Sequence, residues 1–223
     1  MKWLIWTLSF ACLAGPLENA RNKQDLAALE RMAKDKGAVA AAKTGDAAAQ
    51  QEAALAYSYA AEVAQELRDK AKAKSLAEAG IPFGERAVAL KGDGAEAHRL
   101  LGTLCGQVIP ANVLAGLKYG KRAQQELDRA VELEPRNAKV LLSRGVGYYY
   151  LPAAFGGGFD KALELFQKAA GLDPKSDEAF LWAGLALRKL NRNPEARAAF
   201  SKSLQLNPAR VWTKSQLEKT PPN

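Results

Sequence analysis

Four short segments with the same ending constrain this chain more than any other feature. They are ERAVALKG closing at Gly92, DRAVELEP at Pro135, QKAAGLDP at Pro174 and SKSLQLNP at Pro208, and the intervals between their ends are 43, 39 and 34 residues. A recurring interval of this size marks one supersecondary unit repeated along the chain, too small to bury its own apolar face and obliged to stack on its neighbours. The last interval shows the unit most clearly. Phe180, Ala183, Gly184, Leu187 and Leu190 recur at three- and four-residue steps, which places them on one stripe of a helix. Asn191 to Asn193 form a polar turn, and Pro194 suits the first turn of a second helix, where a missing N–H costs nothing. A second stripe follows at Ala196, Ala199, Phe200, Ser203 and Leu204. Gly184 and Ala196 are small where two helices must touch, and Phe180 and Phe200 are bulky enough to fill the space beside them.

That pattern of Phe180, Ala183-Gly184, Leu187, Ala196, Phe200 and Pro208 resembles the tetratricopeptide repeat (TPR). The resemblance covers residues 47–208, in units spanning about 47–92, 95–135, 138–174 and 177–208. It implies an all-α fold: a right-handed superhelical solenoid of about four antiparallel helix pairs with further helices at each end. It also implies a non-enzymatic binding scaffold. The two longer units exceed one repeat length by 9 and 5 residues, and the excess can be located. Gly102 and Cys105 fall on a first helix, Ala123 and Leu127 on its partner, with GQVIPANVLAGLKYG between; Gly145 and Tyr148 pair similarly with Ala162 and Phe166 across LPAAFGGGF. Both insertions therefore occupy the turn within a pair, on the same edge of the solenoid. Such loops look like those of bacterial exported TPR proteins, and the layout has a fainter similarity to the periplasmic TPR subunit of TRAP-type transporters. The first unit carries Leu55, Tyr59, Val63 and Leu67 on its first helix, and Gly80 and Gly84 where its second helix should bear an alanine and a large residue.

Outside the array, residues 15–46 are expected to be helical, with Leu26, Leu29 and Met32 at helical spacing, and residues 209–223 to form a capping helix and tail with Val211, Trp212 and Leu217 on its apolar side. Residues 1–14, MKWLIWTLSFACLA, place Lys2 before an apolar run and the helix-breaking Gly15-Pro16. This reads as a signal peptide cleaved after Ala14, hence export to a periplasmic or secreted location, with a lipid anchor on Cys12 as the lesser alternative. The run is far short of the ~20 residues that cross a bilayer. Cys105 is then alone in the mature chain and lies on an apolar stripe, which favours a buried hydrophobe. The single histidine, His98, is about 10 Å away along the same helix at 1.5 Å per residue, too far to share a proton with it.

In a curved array of helix pairs the first helices line the concave face, and the residues off their packing stripes form the groove. By phase these are Arg99, Thr103 and Gln107, then Leu142, Val146, Tyr149 and Tyr150, then Leu181, Trp182, Leu185, Arg188 and Lys189. Aromatic and aliphatic residues with a few basic heads suit a protein or peptide partner of acidic or amphipathic character. Packing of Tyr149, Tyr150 and Trp182 between repeats, or against the capping helix, is the competing account. A second functional class is a small-ligand-binding module serving a transport system, with the inserted loops closing over a pocket. Net charge is +8, and the segment from Lys175 onward holds nine basic against four acidic residues. Such a balance favours acidic proteins or anionic lipid surfaces, and nothing forms the basic-aromatic cluster of a nucleic-acid module. Gly156-Gly157-Gly158 lacks the lysine and hydroxyl residue that end a nucleotide-binding loop, since Phe159-Asp160 follows. No metal-ligand cluster can be assembled from one histidine and one mature cysteine, apart from an all-carboxylate site, and no cofactor is expected.

Overall fold

The computed structural model describes residues 15–111 and 113–222, so the expected signal peptide at 1–14 lies outside the described residues. Eleven α-helices follow one another among them: α1 (Pro16–Asn22), α2 (Leu26–Ala42), α3 (Ala47–Glu66), α4 (Lys70–Leu90), α5 (Ala95–Val108), α6 (Val113–Leu133), α7 (Ala138–Tyr150), α8 (Phe159–Leu172), α9 (Asp177–Lys189), α10 (Asn193–Leu206) and α11 (Val211–Glu218). Each odd helix from α3 to α9 packs antiparallel on the even helix that follows, and successive pairs stack to give the TPR solenoid that the repeat pattern implies. The N-terminal segment is two helices, α1 and α2, broken where Gln24 adopts a left-handed φ of 55°.

Local chemistry starts and stops these helices. Asp25, Asp46, Asp69, Asn137 and Ser176 each accept a hydrogen bond from the N–H groups of the first turn of α2, α3, α4, α7 and α9, while Pro194 enters the first turn of α10. A cap of this kind is worth about 1 kcal/mol. Three turns within pairs reverse on a single left-handed residue, Gln24, Arg68 or Asn191. The other two contain the insertions, one beginning as a 3-10 turn at Ile109–Ala111 and one folding as a 3-10 turn at Ala153–Phe155.

Pair packing repeats one contact. A Cβ placed on Gly145 would lie 2.5 Å from the Phe166 ring, on Gly184 2.6 Å from the Phe200 ring, and on Gly102 2.8 Å from Leu127. The small residue of each first helix thus receives the large residue of its partner. The first unit inverts the arrangement. Gly80 and Gly84 sit on the second helix, α4, and admit Tyr57 of α3 together with Leu104 and Leu101 of α5. That inversion explains why its sequence departs from the repeat pattern while its helices pack like the others. α4 runs unbroken through Pro82. The core forms successive clusters along the array, the first around Leu29, Ala56 and Val63, another around Leu101, Leu104 and Cys105, and one near the C-terminus around Phe166, Leu181, Trp182 and Phe200. Burial pushes the Cys105 thiol up to about 11, which makes it an inert packing group. His98 is also buried, held between the Glu126 carboxylate at 2.6 Å and the Gly92 carbonyl at 3.2 Å.

Candidate functional site

The odd helices pack on one another in succession, α1 on α3, α3 on α5, α5 on α7 and α7 on α9, and therefore form the inner layer of the curve. Curvature follows from this, because inner helices that touch must be closer together than the outer ones. The residues expected on the concave face fall into two groups.

In the first, α9 is covered. Leu181, Trp182 and Leu185 are buried, Trp182 at 7% exposure, which corrects the expectation that they line an open groove. The cause is the capping helix: Trp212 of α11 packs edge-on against Trp182 with ring centroids 5.7 Å apart, and Phe166 closes it at 6.0 Å on the other side. Arg188, expected at a free rim, instead ties α9 to α11, donating to the Gln216 side-chain oxygen at 2.7 Å and to the Thr220 hydroxyl at 3.2 Å. Lys189 is exposed, with its ammonium 6.0 Å from the Phe159 ring centre.

In the second group, α5 and α7 leave a partly open surface. Arg99 donates two hydrogen bonds of 2.7 Å to Glu96 and reaches the Ser143 hydroxyl at 3.1 Å, linking α5 to α7. Gln107 donates to the Ser58 carbonyl at 3.0 Å, while its side-chain oxygen and the Thr103 hydroxyl are buried without a protein partner. Leu142 and Val146 are half-buried. Tyr149 packs edge-on against Trp182 and Phe159, at 5.6 and 5.1 Å. Tyr150 stays open, 55% exposed, although it contacts Tyr149 and Trp182 on one side. Although the residue as a whole is exposed, burial around its hydroxyl pushes that group well above its ordinary range, with Tyr149, Glu62 and Glu66 adding to the effect.

Sequence reasoning missed the most polar feature of the inner face. The superhelix comes round so that the turn after α10 meets the ends of α1 and α3, and Arg210, with no exposed surface, joins them. Its guanidinium bonds Glu62 at 2.8 Å, Glu178 at 3.2 Å, the Arg21 carbonyl at 3.2 Å, and both carboxylate oxygens of Glu66. Arg21 completes the clasp, bonding Glu178 at 2.5 Å and Glu62 at 3.0 Å and lying 4.7 Å from the Tyr59 ring centre. Gln24 donates to Glu66 at 2.9 Å, and Asn207 donates to both Asn22 and Asp177. A signal existed in Glu62 and Glu66, one turn apart and off the apolar stripe of α3. Their partner lies 144 to 148 residues away, so only the superhelical pitch could reveal it.

Two guanidiniums against three carboxylates leave one excess negative charge when all are ionised. Burial pushes Glu66 up to about 7, against the pull of Arg210 and with a further push from Glu62. Burial alone would also raise Glu178, but Arg21 and Arg210 outweigh it and hold that carboxyl below its usual range. The stabilising contribution of Glu66 is therefore fully present below the ordinary carboxylate value and fades as pH rises through about 7, whereas that of Glu178 is lost as pH falls. Melting temperatures measured between about pH 4 and pH 9 should decline on the alkaline side, and Glu66→Gln should remove that decline while keeping the acid loss. A flat alkaline profile in the wild type would rule out a titrating clasp.

Among the described residues no group of three or more potential ligands could hold a metal ion, and no helix is long and apolar enough to cross a membrane. No curated protein matches the chain. Two solved structures show the same fold. A thermophilic TPR protein of Thermus thermophilus, TTC0263, aligns over 92% of this chain and 100% of its own with a TM-score of 0.62 at 22% identity. The HusA haemophore of Porphyromonas gingivalis aligns over 78% of this chain and 94% of its own with a TM-score of 0.55, also at 22% identity. Residues 177–210, the stretch with the clearest repeat, match a tetratricopeptide repeat family. A broader family model matches residues 17–151, more than half of the chain, and on that match the protein belongs to the family described as Regulator of microtubule dynamics protein 1-3, built here as a TPR solenoid of the kind that scaffolds protein interactions.

Proposed function

We propose that the chain is an exported, non-enzymatic scaffold that holds a segment of an acidic or amphipathic protein against the open middle of its concave face, between α3, α5 and α7. The observation that carries this reading is Tyr150, a large aromatic left 55% exposed inside a curve whose other aromatics are covered. Aromatic anchors of this kind contribute most of the affinity at protein interfaces. The half-buried Val146 and Leu142 lie one and two turns before Tyr150 on the same helix. The net charge of +8 favours acidic partners. Export rests on the apolar run after Lys2, and mass spectrometry of the protein from its native host should find the chain shortened by about the first 14 residues.

Affinity capture from an envelope extract of that host, with the wild type and Tyr150→Ala side by side, tests the binding site. Losing Tyr150 should weaken capture of the specific partner by at least about thirtyfold, the equivalent of a 2 kcal/mol anchor. The melting temperature should change little. Identical capture by a folded Tyr150→Ala variant would overturn the placement.

A further inference from the structure

We propose that the edge formed by the inserted turns docks on an anionic lipid surface, with Phe155 as the side chain that enters the bilayer. Because the helix pairs are antiparallel, every turn within a pair lies on one edge of the solenoid and every turn between pairs on the other. On the first edge, the α7–α8 turn projects Pro152, Ala153, Ala154 and Phe155, all exposed, and Phe155 is the most exposed large hydrophobic side chain among the described residues, at 73%.

This tip has a fixed shape. The N–H groups of Phe155 and Gly157 donate to the Pro152 carbonyl at 2.9 and 3.2 Å, and that of Gly158 donates to the Tyr148 carbonyl at 3.0 Å. Gly156 and Gly158 take φ values of 87° and 122°, and a Cβ on Gly157 would lie 2.0 Å from the Leu151 carbonyl oxygen. The three glycines are thus required by the turn and hold the aromatic outward. Lys161 secures the same turn through the Gly156 carbonyl at 2.9 Å.

The charge on this edge fits one occupant. Along the inserted turns Lys118, Lys121, Lys161 and Lys189 are exposed, Arg192 is matched by Glu195, and Asp160 is the exposed acid of the α7–α8 turn; in the two turns nearer the N-terminus the exposed Asp25 and Asp69 sit beside the exposed Lys23, Arg68 and Lys70. On the other edge the charges balance, Lys91 with Asp93, Arg136 with Glu134 and Lys175 with Asp173. A convex tip bearing one aromatic among small residues offers no groove to enclose a partner's side chain. It has the shape that enters a lipid headgroup layer, with lysines around it attracted to anionic lipid.

The test uses the full chain with vesicles of phosphatidylcholine alone or mixed with phosphatidylglycerol. Binding should require the anionic lipid, and Phe155→Ser should weaken it about tenfold. Lys118→Glu combined with Lys121→Glu, remote from the tip, should weaken it similarly and flatten its salt dependence. The tryptophan introduced by Phe155→Trp should be quenched by brominated lipid beyond the quenching of the parent chain. Equal vesicle binding by wild type and a folded Phe155→Ser variant would overturn the proposal, placing any lipid affinity elsewhere, such as the apolar run near the N-terminus. Loss of a captured protein in Phe155→Ser, with vesicle binding unchanged, would overturn it too and make this edge a protein-docking surface.

Discussion

Replacing Arg210 with methionine should destabilise the protein by about 3–5 kcal/mol, the usual cost of removing one partner from a buried ion cluster. The substitution leaves Glu62, Glu66 and Glu178 facing one another with Arg21 as the remaining guanidinium, and methionine cannot replace the hydrogen bond to the Arg21 carbonyl. The effect should depend on pH. Protonation relieves the stranded carboxylates, and without Arg210 they take up protons at a higher pH than in the wild type, so the gap between variant and wild type should narrow as pH falls from about 7 into mild acid. Urea unfolding at pH 7 and in mild acid measures both expectations. Small-angle scattering of the folded variant should show an expanded particle, because this side chain holds the last turn of the array to its first helices. Wild-type stability and dimensions in the variant would mean that the ends stay together through α1 and α11 packing alone.

Trp182→Ala should cost about 3–5 kcal/mol, the range for deleting a buried tryptophan from a core. Its ring meets Tyr149, Tyr150, Phe166 and Trp212 with centroids between 5.6 and 6.1 Å, so truncation opens a cavity where α7, α8, α9 and α11 converge. Those rings are fixed by different helices and cannot all collapse inward. Thermal unfolding should fall by several degrees, and α11 should become accessible to limited proteolysis. A melting temperature unchanged by Trp182→Ala would remove the residue from the core and return it to the open concave face.

The sequence carried the period, the helix pairs and the contact between Gly184 and Phe200, because those depend on neighbours within one repeat length. Helical phase placed Trp182 off the stripe that packs against α10, and this was correct as far as one pair is concerned. The covering of that face depends on α11, a helix whose docking is set by Trp212 and Gln216 against Trp182 and Arg188 after the array has formed. Tyr150, one residue beyond Tyr149, escapes the same cover because α7 ends there. For the clasp, Arg210 stood beside Pro208 as an ordinary loop cation, and nothing local distinguishes it from Lys214 or Lys219. Its burial depends on how far each unit rotates relative to the last, a quantity summed over four stackings. The single left-handed residues at Gln24, Arg68 and Asn191 were likewise invisible, since none is a glycine and the strain falls on whichever residue ends the first helix.

A linear stack of repeats normally melts from its ends, since each terminal unit has one neighbour and the free energy is a sum of nearest-neighbour terms. Joining the turn after α10 to α1 and α3 gives the terminal units a second neighbour each, and the chain of terms becomes a cycle. Fraying at one end must then break the clasp, at the expense of the other end, before any partial unfolding gains entropy. The array is thereby biased toward melting as one cooperative unit, with amide protons in α1 and α3 exchanging at rates governed by a side chain 189 residues downstream of Arg21 and 144 downstream of Glu66.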